Sequence, residues 1–198
     1  MTPDSDVFPE LNHELIKPLQ DIDDLKLWAL WQEYPHQARY LMMLFFRYAD
    51  YPQKIAQNVH NIKISLPYFE SLWFFLFDRI SSYNIEKDSL FSKIITEYIN
   101  EFLTDEKVIV TSTNKVNYEQ EIRFLPLKYY LQKNLDKLSN LERLILVTKD
   151  KFNWEEEKIL QYLQQKQTIT LPEIKAYYTQ AHSRLLNFLP IDIVSIYL

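Results

Sequence analysis

LSNLERLILVTKDKFNWEEEKILQYLQQKQTITLPEIKAYYTQAHSRLLNFLP, residues 138–190, is the stretch on which the fold turns. Ser139 or Asn140 can cap a helix through Leu144, Ile145 and Val147. Asn153 can cap a second, with Glu155, Glu156 and Glu157 in its first turn, where acids favour the positive end of the helix dipole and remain solvated. Ile159, Leu160 and Leu163 give that second helix its apolar side. Thr170-Leu171-Pro172-Glu173 joins a capping box to a proline near the first helical position, a strong start signal. Beyond it Ile174, Tyr178, Ala181 and Leu185 fall on one stripe of a long final helix. Two short helices followed by a capped longer one is the order of a helix-turn-helix. On the wheel of the last helix, Thr179, Gln180 and Ser183 lie opposite the apolar stripe, with Lys175 and Arg184 at its flanks. A recognition helix presents base edges and phosphates with that side.

Helical periodicity also governs the chain upstream. In 23–50 the residues Leu27, Leu30, Trp31, Tyr34, Ala38, Leu41, Leu44, Phe45 and Tyr48 recur at three- and four-residue spacings, with Asp23 or Asp24 as cap. Pro35 divides this block into two helices. The block 67–103 repeats the pattern through Phe69, Leu72, Trp73, Leu76, Phe77 and Ile80, then Leu90, Ile94, Ile95, Tyr98, Ile99 and Phe102. Residues 104–123 change character: Val108, Val110, Val116 and Tyr118 alternate around Thr113-Asn114-Lys115, as a small hairpin or an extended linker would. The expected fold is therefore all-α. It has an N-terminal helical bundle over 1–104, a linker or small hairpin over 105–125, and a C-terminal trihelical helix-turn-helix domain over 126–198.

Composition narrows the chemistry. The 198 residues contain no Gly and no Cys. Without glycine there is no Walker loop, dinucleotide-binding turn, GxSxG elbow or EF-hand loop. Without cysteine there are no disulfides, thiolate metal sites or thiol nucleophiles. His13, His36, His60 and His182 show no ligand spacing, so no metal or other cofactor is expected. No Ser/His/Asp or Lys constellation has a context that would activate it, so an enzyme is not expected. The start of the chain lacks a basic, then apolar secretory leader. The longest strongly apolar runs, Leu41–Phe46 and Leu72–Phe77, are far shorter than the ~20 residues that span a bilayer. A cytoplasmic protein without a membrane partner is expected. Net charge is −5, and residues 1–34 hold eight acids against two bases, leaving the rest slightly positive. That balance suits a protein that reaches DNA while held by a larger basic machine better than one that grips it alone.

The aromatic residues are the loudest feature, 14 Tyr, 12 Phe and 4 Trp. Those in the two apolar runs belong to a core, while Trp28, Trp31 and Tyr51 are the candidates for exposed contact, where a ring could stack on unpaired bases.

Taken together, the C-terminal stretch resembles region 4 of the sigma-70 family of RNA polymerase specificity subunits. The matching residues are Leu138, Glu142 and Arg143; Lys158, Ile159, Leu160 and Leu163; Ile174, Lys175, Tyr178, Gln180, Ala181 and Leu185; and the ending Leu189-Pro190. Leu27–Tyr34 followed by Tyr40–Tyr48 is similar to the opening of sigma region 2, and Tyr68–Ile80 to its aromatic end. The resemblance implies two helical domains and a linker, as in short, extracytoplasmic-function sigma factors. It implies core RNA polymerase and promoter DNA as partners, with a regulatory protein as a further one. Arg39, Arg47 and Tyr48 would face polymerase, and Lys175, Thr179, Gln180, Ser183 and Arg184 would face DNA. Gln180 and Tyr177 stand where the family commonly has arginine, and no glycine turns the chain between Ile159 and Ile174. These departures keep open a non-enzymatic helical adaptor that retains the fold without reading DNA.

Overall fold

Pro35 breaks the first apolar block as its chemistry requires, because it disfavours helical geometry at Tyr34 and has no amide hydrogen to donate. Helix α1 (Asp24–Glu33) stops before it and α2 (Arg39–Tyr48) starts after it. Asp23 caps α1, its carboxylate accepting the Lys26 amide at 2.9 Å. The chain continues through α3 (Tyr51–His60), α4 (Leu66–Ser82), α5 (Phe91–Asp105), α6 (Leu125–Leu135), α7 (Asn140–Asp150), α8 (Glu156–Gln164), α9 (Leu171–Phe188) and α10 (Ile191–Tyr197). The computed structural model describes residues 7–60, 63–85, 90–105 and 121–198, and among these the fold is all-α, with no strand. The hairpin or linker expected around Val108, Val110, Val116 and Tyr118 lies outside the described residues. No helix among them is long and apolar enough to cross a membrane.

Contacts divide the chain into two units, Met1–Leu127 with Ile191–Leu198, and Lys128–Pro190. In the first, Phe45 packs its ring against Trp73 at 4.8 Å and Phe77 at 5.9 Å between centroids, and Phe46 and Phe8 extend the cluster. Two of the three buried indoles satisfy their N–H groups on helix-terminal carbonyls: Trp28 donates to Ile80 at 3.1 Å and Trp73 to Ala49 at 3.3 Å. This corrects the expectation for Trp28 and Trp31, which are 0% and 4% exposed. Drawing either ring out would forfeit about 1.5–3 kcal/mol of burial, as much as stacking on a base returns, about 1–3 kcal/mol.

Helix α10 belongs to this first unit. Asp192 accepts the backbone N–H of Arg39, the first residue of α2, at 3.1 Å, and its other oxygen pairs with the Arg39 guanidinium at 3.6 Å. Tyr197 donates its hydroxyl to the Arg123 carbonyl at 2.7 Å, and Arg123 in turn pairs with the buried Glu10 at 2.8 Å. Burial drives the Tyr197 hydroxyl far above its ordinary pKa.

In the second unit α7, α8 and α9 pack around Ile145, Ile159, Leu163, Ile169 and Ile174. Leu138, Leu146 and Ala181 form a second cluster, with Leu135, Tyr178 and Leu185 against it. The four-residue stripe expected of the last helix is thus inward. Ser139 caps α7 in a reciprocal box with Glu142. Asn153 does not cap α8; Glu155 occupies that position. Asn153 instead takes a left-handed conformation (φ 50°), which Asn tolerates better than most residues, and turns the chain where glycine is absent. The next turn also needs no glycine: Lys166 and Gln167 return their amides to the Leu163 carbonyl at 2.9 and 3.0 Å, and Ile169 anchors the turn in the core.

Candidate nucleic-acid interface

Helix α9 begins where Thr170 donates both its backbone N–H and its hydroxyl to one Glu173 oxygen, at 2.8 and 2.7 Å. Those bonds hold the Glu173 carboxyl below the usual carboxylate range. With Ile174 and Ala181 sealed inward, the opposite side of the helix carries Lys175, Thr179, Gln180, Ser183 and Arg184, and all five are exposed. They form two adjacent rows at i, i+4 spacing over about 14 Å of helix. Thr179 spends its hydroxyl proton on the Lys175 carbonyl at 3.0 Å, leaving its lone pairs outward.

The two flanking cations are not bare. Lys175 lies 3.3 Å from Glu156, and the other Glu156 oxygen accepts from Lys149 of α7. Hydrogen bonding from Lys149, then from Lys175, holds the Glu156 carboxyl below its ordinary range against partial burial. This corrects the expectation of a wholly solvated acidic first turn for α8. Arg184 donates to Glu142 at 2.8 Å. The Glu142 carboxylate is 2% exposed and also accepts the Ser139 amide and hydroxyl at 3.0 and 2.7 Å. Burial alone would raise its pKa, but the Ser139 bonds and the Arg184 charge outweigh that and lower it.

Along the inner edge of the same helix, Asp150 receives the Tyr178 hydroxyl at 2.8 Å and meets His182 Nε2 at 3.0 Å. Lys149 lies over the Tyr178 ring at 4.3 Å. Burial first, and the bond to Asp150 second, push the Tyr178 hydroxyl up to about 12. The unit as a whole, residues 128–190, carries ten Lys and Arg against seven Asp and Glu, a formal +3, whereas the remainder of the chain is at −8.

Arg39, Arg47 and Tyr48 lie in the first unit. Arg47 donates to Asp24 and to the carbonyls of Gln20 and Leu19 at 2.8 and 3.2 Å. Tyr48 donates to the other Asp24 oxygen, and its hydroxyl is pushed well up by burial first and that bond second. Arg39 is apart from them, on Asp192. The structure thus brings Arg47 and Tyr48 together on one carboxylate and uses all three candidates inside the unit. Periodicity gives no sign of Glu142, Glu156, Asp24 or Asp192 as the partners of Arg184, Lys175, Arg47 and Arg39, since each pair joins separate helices. Among the described residues no group of three or more His, Cys, Asp or Glu is arranged to hold a metal ion.

No family model, no curated protein and no solved structure matches the chain. The candidate interface stands on its own residues and geometry.

Proposed function

We propose that the chain is a sigma-factor-like transcription protein: its first unit docks on core RNA polymerase, and its second approaches promoter duplex as a helix-turn-helix, with α9 as the reading helix. The observation that carries this reading is the exposed set of Lys175, Thr179, Gln180, Ser183 and Arg184 on a helix that buries Ile174 and Ala181 on its other side. A major groove about 12 Å wide admits one such helix. Thr, Gln and Ser offer base-edge hydrogen bonds while Lys and Arg meet phosphates. The mechanism is binding, with the chemistry left to polymerase. Two flanking cations on a unit of +3 supply only a weak hold on DNA, which fits a module tethered by a larger partner.

The test is a fluorescence-anisotropy titration of the full chain against a labelled mixed-sequence duplex across a salt series, with a pull-down of core polymerase alongside. Lys175→Gln combined with Arg184→Gln is expected to weaken duplex binding about tenfold and to make the log K against log salt slope shallower by about two. An unchanged affinity and slope would refute the assignment of this side to DNA. It would favour the second reading, a helical adaptor that keeps the fold without reading DNA. The ion pairs of Lys175 with Glu156 and Arg184 with Glu142 already favour that reading, since they occupy the cations a phosphate would need.

A further inference from the structure

We infer that Glu156 acts as an internal stand-in for a backbone phosphate, engaging Lys175 and Lys149 until duplex DNA displaces it and so setting a threshold on binding. The inference rests on the DNA-contacting reading above and deepens it. Glu156 opens α8, and its two oxygens are divided between two ammonium groups, Oε2 facing Lys175 on α9 at 3.3 Å and Oε1 accepting from Lys149 on α7. An anionic group between two cations is also what a DNA strand would supply at this edge of α9. Lys149 is further oriented by the Tyr178 ring of α9, 4.3 Å from its Nζ. Lys175 is on the helix that carries Thr179, Gln180 and Ser183 and Lys149 lies beside it, so a phosphate at this edge competes with the carboxylate for both.

Glu157, one residue on, supplies the internal comparison. It is exposed and makes no ion pair among the described residues, yet its removal changes net charge by the same amount. An effect of charge alone would be equal at the two positions; an effect of the clamp belongs to Glu156. Ion pairs open to solvent on one side are weak, so a polyanion with one charge per about 1.7 Å of helix axis can outcompete this partly exposed one. The clamp is a threshold, not a block.

The experiment is duplex titration of the full chain, carrying Glu156→Gln, Glu157→Gln, Glu156→Asp, or Glu156→Gln with Lys175→Gln, followed by anisotropy of a labelled mixed-sequence duplex at low salt. Glu156→Gln is expected to bind roughly three- to tenfold tighter than wild type and Glu157→Gln within about twofold of it, with the gain abolished when Lys175→Gln is added. Glu156→Asp keeps the charge and withdraws the carboxylate from Lys175; it is expected to bind tighter than wild type, and it decides the matter if Glu156→Gln is poorly folded. Binding by wild type with Glu156→Gln no tighter than Glu157→Gln, or Glu156→Asp no tighter than wild type, overturns the inference while leaving the DNA reading intact. Absence of binding by wild type and every variant, both alone and with core polymerase added, removes the DNA reading, and the clamp with it.

Discussion

Asp192→Ala is expected to destabilise the first unit by about 2–3 kcal/mol. The side chain is 2% exposed and serves two groups of one residue, the Arg39 backbone N–H and the Arg39 guanidinium. Losing it leaves an orphan amide at the start of α2, a cation without its buried partner, and a gap beside Ile193, which is fully buried. Asp192→Asn keeps an acceptor for the amide and loses only the charge, so it should cost about 1 kcal/mol. Urea denaturation followed by tryptophan fluorescence reads this unit preferentially, because Trp28, Trp31 and Trp73 lie in it and only Trp154 in the other. An Asp192→Ala protein as stable as wild type would show that α10 is not held through α2.

Arg184→Glu is expected to cost the second unit about 2–3 kcal/mol, against about 1 kcal/mol or less for Arg184→Gln. Reversal sets a second carboxylate against Glu142, which is buried and already fixed by Ser139 at the start of α7. Glutamine restores a neutral donor in its place. Urea unfolding monitored by far-UV circular dichroism separates the two variants, and equal stability would contradict a formed Arg184–Glu142 pair. The difference matters for function: a charge reversal at Arg184 would lose DNA binding through unfolding as readily as through a missing phosphate contact, whereas the glutamine variant isolates the contact.

Much of the fold was legible because its signals are local. Asp23 and Lys26, Ser139 and Glu142, and Thr170 and Glu173 sit three residues apart, and Pro35 acts on its immediate neighbour. The stripe Ile174, Tyr178, Ala181 and Leu185 was legible for the same reason, since helical period alone decides which residues share a side. What the sequence did not show depends on partners far along the chain. Trp28 and Trp31 carry a spacing that suits either a buried or an exposed indole, and the Ile80 carbonyl that receives Trp28, 52 residues away, decides the matter. Asp192 reaches Arg39 across 153 residues, and nothing in the run Ile191–Tyr197 marks it as part of the first unit. Asn153 carries two competing preferences, cap and left-handed turn, and the absence of glycine tips it to the second. At the candidate interface the five exposed residues of α9 were readable from the wheel, but the carboxylates that hold its cations were not, because Glu156 and Glu142 come from other helices.

The most direct test places a photoreactive benzoylphenylalanine at Gln180, on the open side of α9, and for comparison at Glu97, an exposed position on α5 in the other unit. Irradiation of the full chain with labelled promoter duplex, in the presence of core polymerase, should yield a protein–DNA adduct from position 180 and none from position 97. Adducts absent at 180, or equally abundant at both, would contradict the claim that α9 is the surface that meets DNA.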